Sequence, residues 1–227
     1  MRMISSMFNS KNFYDMEELI EILENPFDDV TTKEAFQTKC EEIATKLFND
    51  YCINCNGKKF YFAEIEFYYW QKDKWNEKWN QVTYARDGYE AGDLFFHLSG
   101  IDICFKSSYS EAKFGGILIR SIIDKNNNVI SDPLNCKDVI LNVCKGGCMP
   151  KLSKTENRGS IAPKGTYRSL GSTDMKNNID GTLKLCFFNE ALREQLNPEK
   201  QWFDKTKAEI KSRPGTYNTE KFYAKQN

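Results

Sequence analysis

The sequence lacks several features that would place a protein in a broad class at once. Its 227 residues contain no run approaching the roughly 18 consecutive apolar residues of a membrane-spanning helix. The first residues, MRMISSMFNSKNF, lack the continuous apolar core of a secretory signal. Neither sign of charge is in excess, because 32 lysines and arginines balance 32 aspartates and glutamates. We therefore expect a cytoplasmic protein that does not enter a membrane, and the net charge gives no sign of a polyanionic partner.

The composition is that of a folded protein. Apolar residues make up 40% of the chain and aromatic residues 14%, which excludes disorder as a description of the whole. A chain of this length can build one substantial core, and no part of it repeats another. We therefore expect one domain over residues 31–227, preceded by a helical extension over residues 1–30, and we expect a monomer.

The eight cysteines leave two interpretations open. Thiols in the cytoplasm stay reduced, so these residues would be small buried apolar groups or surface thiols. Alternatively, the pairs Cys52/Cys55 and Cys144/Cys148 supply four thiolates, enough for a structural zinc ion. The first interpretation is favoured, because the first pair lies in a predicted strand and turn and the second has an unusual spacing. We therefore expect no metal. The cysteines stand at positions 40, 52, 55, 104, 136, 144, 148 and 186.

Local signals predict both helices and strands. Apolar residues at helical spacing indicate helices over 14–24 and 32–49, the second introduced by the capping-box pattern Thr31-x-x-Glu34. Asn56-Gly57 predicts a tight hairpin turn, and Glu66 is expected to close the second hairpin strand. The remaining predictions are strands at 51–53, 59–67, 94–98, 101–105, 116–123, 183–188 and 221–224, helices at 190–196 and 199–212, and a polar loop at 70–91. Together these elements predict an α+β fold.

Positive charge is concentrated in one part of this neutral chain. Residues 144–178 hold seven lysines and arginines against two acidic residues, in a stretch rich in glycine and serine. We expect a loop here. It would either follow a phosphate backbone or be solvated without a partner, and the sequence leaves both interpretations open.

Three segments carry a more specific pattern: AEIEFYYW from Ala63, GDLFFHLSGIDICFKSS from Gly92, and FGGILIRSI from Phe114. They contain a glutamate, an aromatic residue two positions later, and an arginine that closes an apolar strand. GTLKLC from Gly181 and the later Arg213-Pro-Gly215 follow in the chain. In this order the pieces resemble the catalytic core of the alkyladenine (3-methyladenine) DNA glycosylase family, over about residues 44–224.

The resemblance implies a single-domain α+β fold in which helices flank a curved, mixed, antiparallel-rich sheet, like that of formyltransferase C-terminal domains. It implies a monofunctional enzyme of base excision repair that hydrolyses the N-glycosidic bond of an alkylated purine in DNA, without a cofactor. Glu66 would activate the water, because a carboxylate both accepts its proton and stabilises positive charge on the sugar. Glu64, two residues earlier, points to the same face and is a possible substitute.

The same resemblance assigns the residues around Glu66. An aromatic face suits an electron-poor purine, and Phe96 or His97, the single histidine, would supply the second stacking ring. Arg120 would contact a phosphate or the site carboxylate. The implied base-binding residues are Tyr68, Tyr84, Phe96, His97 and Lys106, with Ser107 as the alternative to Lys106, and the implied phosphate-binding residues are Arg120, Lys184 and Arg213.

One departure from the family pattern keeps other functions open. Leu98-Ser99 stands where the family places an aromatic wedge that holds a duplex open after a base is extruded. A protein that binds or hydrolyses free nucleosides or nucleotides on the same scaffold would need no wedge and no net positive charge. An interaction protein that has kept the scaffold without catalysis is the weaker alternative.

Overall fold

The computed structural model describes residues 11–72, 85–144, 147–156, 158–167 and 185–196. It is an α+β structure with three helices and nine strands in this part of the chain. The helices are α1 (Lys11–Glu24), α2 (Lys33–Asp50) and α3 (Pro133–Val143), with a short 3-10 helix at Glu190–Leu192. The strands are β1 (Tyr51–Cys55), β2 (Lys58–Gln71), β3 (Leu94–His97), β4 (Gly100–Cys104), β5 (Lys113–Ile123), β6 (Val129–Ser131), β7 (Lys151–Lys154), β8 (Pro163–Tyr167) and β9 (Leu185–Asn189).

Both helices predicted near the N-terminus are present. The N-cap of α2 lies one residue later than predicted. The cap of α2 is Thr32, whose Oγ1 accepts a hydrogen bond from Ala35 N at 3.1 Å, and not Thr31 as the capping-box pattern predicted. The side chain of an N-cap residue accepts a hydrogen bond from the backbone N–H two or three residues later, and the cap itself has an extended backbone. Thr32 meets both conditions. The predicted apolar stripe of α2 is buried: Phe36, Cys40, Ile43, Ala44 and Leu47.

The predicted hairpin turn after α2 is confirmed, but the second strand of the hairpin is longer than predicted. Asn56 and Gly57 both adopt positive φ, 52° and 78°, as a type I′ turn requires. Strand β2 continues to Gln71, because its last residues pair with β5 down to Gln71 opposite Lys113. The prediction that Glu66 closes the strand is therefore wrong, and Glu66 lies within β2.

The strands form one antiparallel sheet. Its main order is β3-β4-β5-β2-β1-β7, with β6 beside β5, β9 beside β2, and β8 beside β9. Every strand pairing in the described residues is antiparallel. The long central strand β2 thus contacts three neighbours and places its side chains at the middle of the sheet.

Two predictions fail toward the C-terminal side of the chain. Residues 144–178 were predicted to be a loop, but they contain β7 and β8, which pair with β1 and β9. These two segments become strands because their backbones pair with β1 and β9, and their polar composition gives no sign of that pairing. The predicted helix at 190–196 is a single 3-10 turn, capped by Asn189. The elements predicted at 199–212 and 221–224 lie outside the described residues.

The main core fills one face of the sheet. On that face Ile65, Phe67 and Tyr69 of β2 pack with apolar residues of all three helices. Leu19 and Leu23 of α1 are fully buried in the same cluster. Because side chains alternate along a strand, the neighbouring residues of β2 lie on the opposite face, and that face carries the polar groups described next.

Candidate active site

A row of side chains crosses the second face of the sheet at its centre. Strand register places Asp102 of β4 opposite Leu118 of β5, Leu118 opposite Glu66 of β2, and Glu66 opposite Cys186 of β9. Residues directly opposite in antiparallel strands project from the same face. Two acidic residues, Glu66 and Asp102, therefore share this face with one apolar residue between them.

The first polar cluster on this face joins two glutamates through one arginine. Arg120 Nε donates to Glu64 Oε1 at 2.9 Å, and Arg120 Nη1 donates to Glu66 Oε2 at 2.7 Å. Ser121 Oγ donates to Glu64 Oε2 at 3.0 Å. The pairing of β2 with β5 is irregular on both sides of Glu64, which brings Ser121 and Arg120 to the same carboxylate. Cys186 Sγ lies 3.7 Å from Glu66 Oε2.

This cluster is buried, which makes its charges interdependent. Glu66 is 2% exposed and Arg120 5%. Burial disfavours the charged guanidinium, but the Glu64 and then the Glu66 carboxylates outweigh that effect and raise the pKa of Arg120. The arrangement can hold a carboxylate in one orientation beside a reacting group.

A second polar cluster lies next to the first on the same face. Tyr68 Oη donates to Asp102 Oδ2 at 2.6 Å, and Arg86 Nη2 donates to the same oxygen at 2.9 Å and to Tyr68 Oη at 3.0 Å. His97 Nε2 lies 3.2 Å from Asp102 Oδ1. Burial alone would raise the pKa of Asp102, but His97 first, and then Arg86 and Tyr68, lower it.

A glycine lets Tyr68 reach across the sheet to Asp102. Gly116 of β5 lies opposite Tyr68 in β2. A Cβ at position 116 would lie 2.6 Å from Tyr68 Oη and 2.9 Å from Ile103 O. The absence of a side chain at Gly116 is therefore what allows the tyrosine ring to lie over β5.

The structure separates the residues that the sequence predicted for the base-binding site. Tyr68 lies beside Glu66 on the same strand face, and His97 belongs to the second cluster. Phe96 packs against the main core on the other face, because it alternates with its neighbours along β3. The ring on the site's face is Phe95, which stacks on His97 with centroids 5.6 Å apart. Of the two alternatives, the geometry therefore favours His97.

The other predicted site residues lie away from Glu66, form part of its cluster, or fall outside the described residues. Lys106 follows β4 and pairs with Glu90 at the surface. Arg120 contacts both site glutamates, which matches the second of its two predicted roles, while phosphate contact stays a prediction. Three predicted residues fall outside the described residues: Tyr84, Lys184 and Arg213.

Two members of the second cluster were not predicted as site residues. Asp102 could have been found, because alternation in GIDIC places it on the face opposite Ile101 and Ile103. Arg86 had no such signal. It lies in a loop sixteen residues before Asp102 in the chain, and only the tertiary structure brings the two together.

Comparison with models of protein families, with characterised proteins and with solved structures finds no match. The resemblance to alkyladenine glycosylases therefore remains a prediction that depends on the residues named above. None of the described helices has the length and apolar character needed to cross a bilayer.

The described residues also bear on the zinc interpretation. They contain no group of three or more histidine, cysteine or acidic side chains arranged to hold a metal ion. Cys55 and Cys144, one from each predicted pair, have sulfur atoms 2.9 Å apart. Burial, and then its contact with Cys144, raises the pKa of Cys55 above its ordinary value.

Proposed function

We propose that the protein is a monofunctional DNA glycosylase that hydrolyses the N-glycosidic bond of an alkylated purine. Glu66 accepts a proton from water as the water oxygen bonds to the sugar C1′. The C1′–N bond breaks, and its electron pair leaves with the purine, whose positive charge makes it a fair leaving group. The developing charge on the sugar is stabilised by the same carboxylate.

The buried Glu66–Arg120 pair is the observation that carries this proposal. A carboxylate within a central strand, away from solvent, is costly unless it is paired and bonded. Arg120 meets that requirement through Glu66 Oε2, and a carboxylate can accept several hydrogen bonds, including one from water. Its aromatic neighbour Tyr68, two residues on, supports a planar ligand at the same place.

An exposed apolar residue supports a duplex substrate. Leu98, in the turn between β3 and β4, is 73% exposed. It follows His97 of the second cluster directly. Apolar side chains such as leucine serve as wedges between base steps, so Leu98 is a candidate for the role that an aromatic residue has in the family.

Paired glutamine substitutions test the proposal. E66Q keeps the shape but removes the base, and we expect release of methylated purines from DNA to fall about 10²- to 10⁴-fold. E64Q is the matched control, because Glu64 is equally buried and bonds the same arginine. We expect it to retain most activity. Full activity in E66Q would contradict the assignment, and equal losses in both variants would assign the effect to the charge pair.

The zero net charge favours a second candidate, a protein that binds or hydrolyses free nucleosides. The two candidates differ in salt dependence. Binding to DNA should weaken with salt, with a logarithmic slope of roughly 0.7 to 0.9 for each phosphate neutralised. Base release from nucleosides, together with salt-independent binding, would favour the second candidate.

A further inference from the structure

Two cysteine side chains from distant parts of the chain meet in the fold. Cys55 is the last residue of β1, and Cys144 is the C-cap of α3. Their sulfur atoms lie 2.9 Å apart, although 89 positions separate the two residues in the chain. Since the described residues contain no group arranged to hold a metal ion, this contact is one between two thiols.

The distance between these two sulfur atoms is close to that of a covalent bond. An S–S bond is about 2.05 Å long, so a further approach of roughly 0.9 Å would form one. Cys144 Sγ also lies 3.1 Å from Ile140 O in its own helix, which helps to fix its position beside Cys55. Cys148 is the rival partner, because its carbonyl oxygen lies 4.0 Å from Cys55 Sγ. The shorter contact favours Cys144.

The two thiols differ in how easily an oxidant reaches them. Cys55 is fully buried, whereas Cys144 is half-buried, so an oxidant in solution reaches Cys144 first. Burial raises the pKa of Cys55 and makes its thiolate scarce. Because the thiolate is the nucleophile, Cys55 reacts with a neighbouring sulfur that is already oxidised rather than with the oxidant itself.

We propose that Cys55 and Cys144 form a reversible disulfide that joins β1 to the C-terminal end of α3. With hydrogen peroxide as the oxidant, the Cys144 thiolate attacks one oxygen atom. The S–O bond forms, the O–O bond breaks, and the hydroxide that leaves takes up the proton lost by the thiol. The Cys55 sulfur then attacks the Cys144 sulfur; the S–S bond forms, the S–O bond breaks, and the hydroxide leaves with the Cys55 proton as water. The two thiols lose two electrons, and the peroxide is reduced to two water molecules.

This disulfide would restrain a helix that supports the candidate site. Lys137 Nζ of α3 donates to His97 O at 3.0 Å and to Leu98 O at 2.9 Å. Cys136 Sγ of the same helix lies 3.6 Å from Arg120 O. A bond at the C-terminal end of α3 therefore restrains the element behind both the β3–β4 turn and Arg120. Because it closes a long loop, it should stabilise the fold chiefly by restricting the unfolded chain.

Peptide mapping of the oxidised protein tests the pairing. Trypsin places the relevant cysteines on three peptides: residues 47–58 with Cys52 and Cys55, residues 138–145 with Cys144, and residues 146–151 with Cys148. After equimolar hydrogen peroxide and alkylation of the remaining thiols, we expect the first peptide linked to the second. The same link is expected in C52S, which leaves only Cys55 in the first peptide. A link between the second and third peptides, or no link to the first, would overturn the inference.

The melting temperature measures the effect of the disulfide on stability. We expect oxidation to raise the melting temperature of the wild type by at least about 5 °C, and dithiothreitol to reverse the rise. C55S and C144S should lose this difference, whereas C148S, the matched control, should keep it. Each variant is compared with itself in two redox states, so a change in its basal stability does not affect the comparison. A rise that persists in C144S, or that disappears in C148S, would contradict the pairing. Neither measurement involves base release, so failure of this inference would leave the glycosylase proposal unaffected.

Discussion

The two charged clusters on the site's face differ in how they are held. The ion pairs of the first cluster, Glu64 and Glu66 with Arg120, join residues of adjacent strands β2 and β5. The second takes its carboxylate from β4 but its guanidinium from the loop residue Arg86. A group fixed by two strands keeps its orientation, whereas a loop side chain is more readily exchanged. The first cluster therefore holds its carboxylates in one orientation, whereas the guanidinium of the second cluster can leave its carboxylate more readily.

Replacement of each arginine by alanine is expected to give the largest effects. R120A would leave two buried carboxylates without their shared cation, and we expect a loss of about 3–5 kcal/mol in the free energy of unfolding. R86A leaves only one carboxylate, which Tyr68 still bonds, so its loss should be smaller. Urea denaturation of both variants measures the difference. A loss in R86A equal to or above that in R120A would contradict the distinction between the clusters.

Alanine at Gly116 is expected to disturb the second cluster directly. The added Cβ would lie 2.6 Å from Tyr68 Oη, so either the ring or β5 must move. Overpacking of this kind costs about 1–3 kcal/mol, and the Tyr68–Asp102 bond should weaken with it. In a Y68F background the nearest clashing atom is absent, so the cost of G116A should be lower, although Ile103 O remains at 2.9 Å. Equal costs in both backgrounds would show that the backbone contact dominates.

The sequence predicted this fold best where signals are local. Periodicity located α1 and α2, and Asn56-Gly57 located the hairpin turn, because each signal depends on residues close in the chain. The prediction that β2 ends at Glu66 was wrong, because a charged residue in an apolar run usually marks the end of a buried strand. Here Arg120, distant in the sequence, pairs with Glu66 and allows it to lie inside the strand. Helix α3 was missed although Asp132 and Pro133 form a recognisable helix start.

The candidate site shows the same limit more sharply. Glu66 and its link to Arg120 were anticipated, but through a family resemblance and not through any local rule. The choice between Phe95 and Phe96 depended on the register of β3, and an error of one residue moves a ring to the other face. The contact between Arg86 and Asp102 could not be predicted, because no sequence pattern joins a loop residue to a strand residue across the fold.

Among these predictions, the smallest expected change is in the stability of the second cluster as the pH is lowered. The folded protein lowers the pKa of Asp102 from its ordinary value of 3.8. For an acid of lowered pKa, the folded state gains stability above the unfolded value, and this gain is lost as pH falls through the folded value. The wild type should therefore lose stability relative to D102N as pH falls below about 4. Unfolding measured by urea between about pH 2.5 and 6 for both proteins, with E64Q for comparison, tests this. If the difference between wild type and D102N stays constant over that range, Asp102 does not gain its stability as a charged group from its contacts with Arg86 and His97.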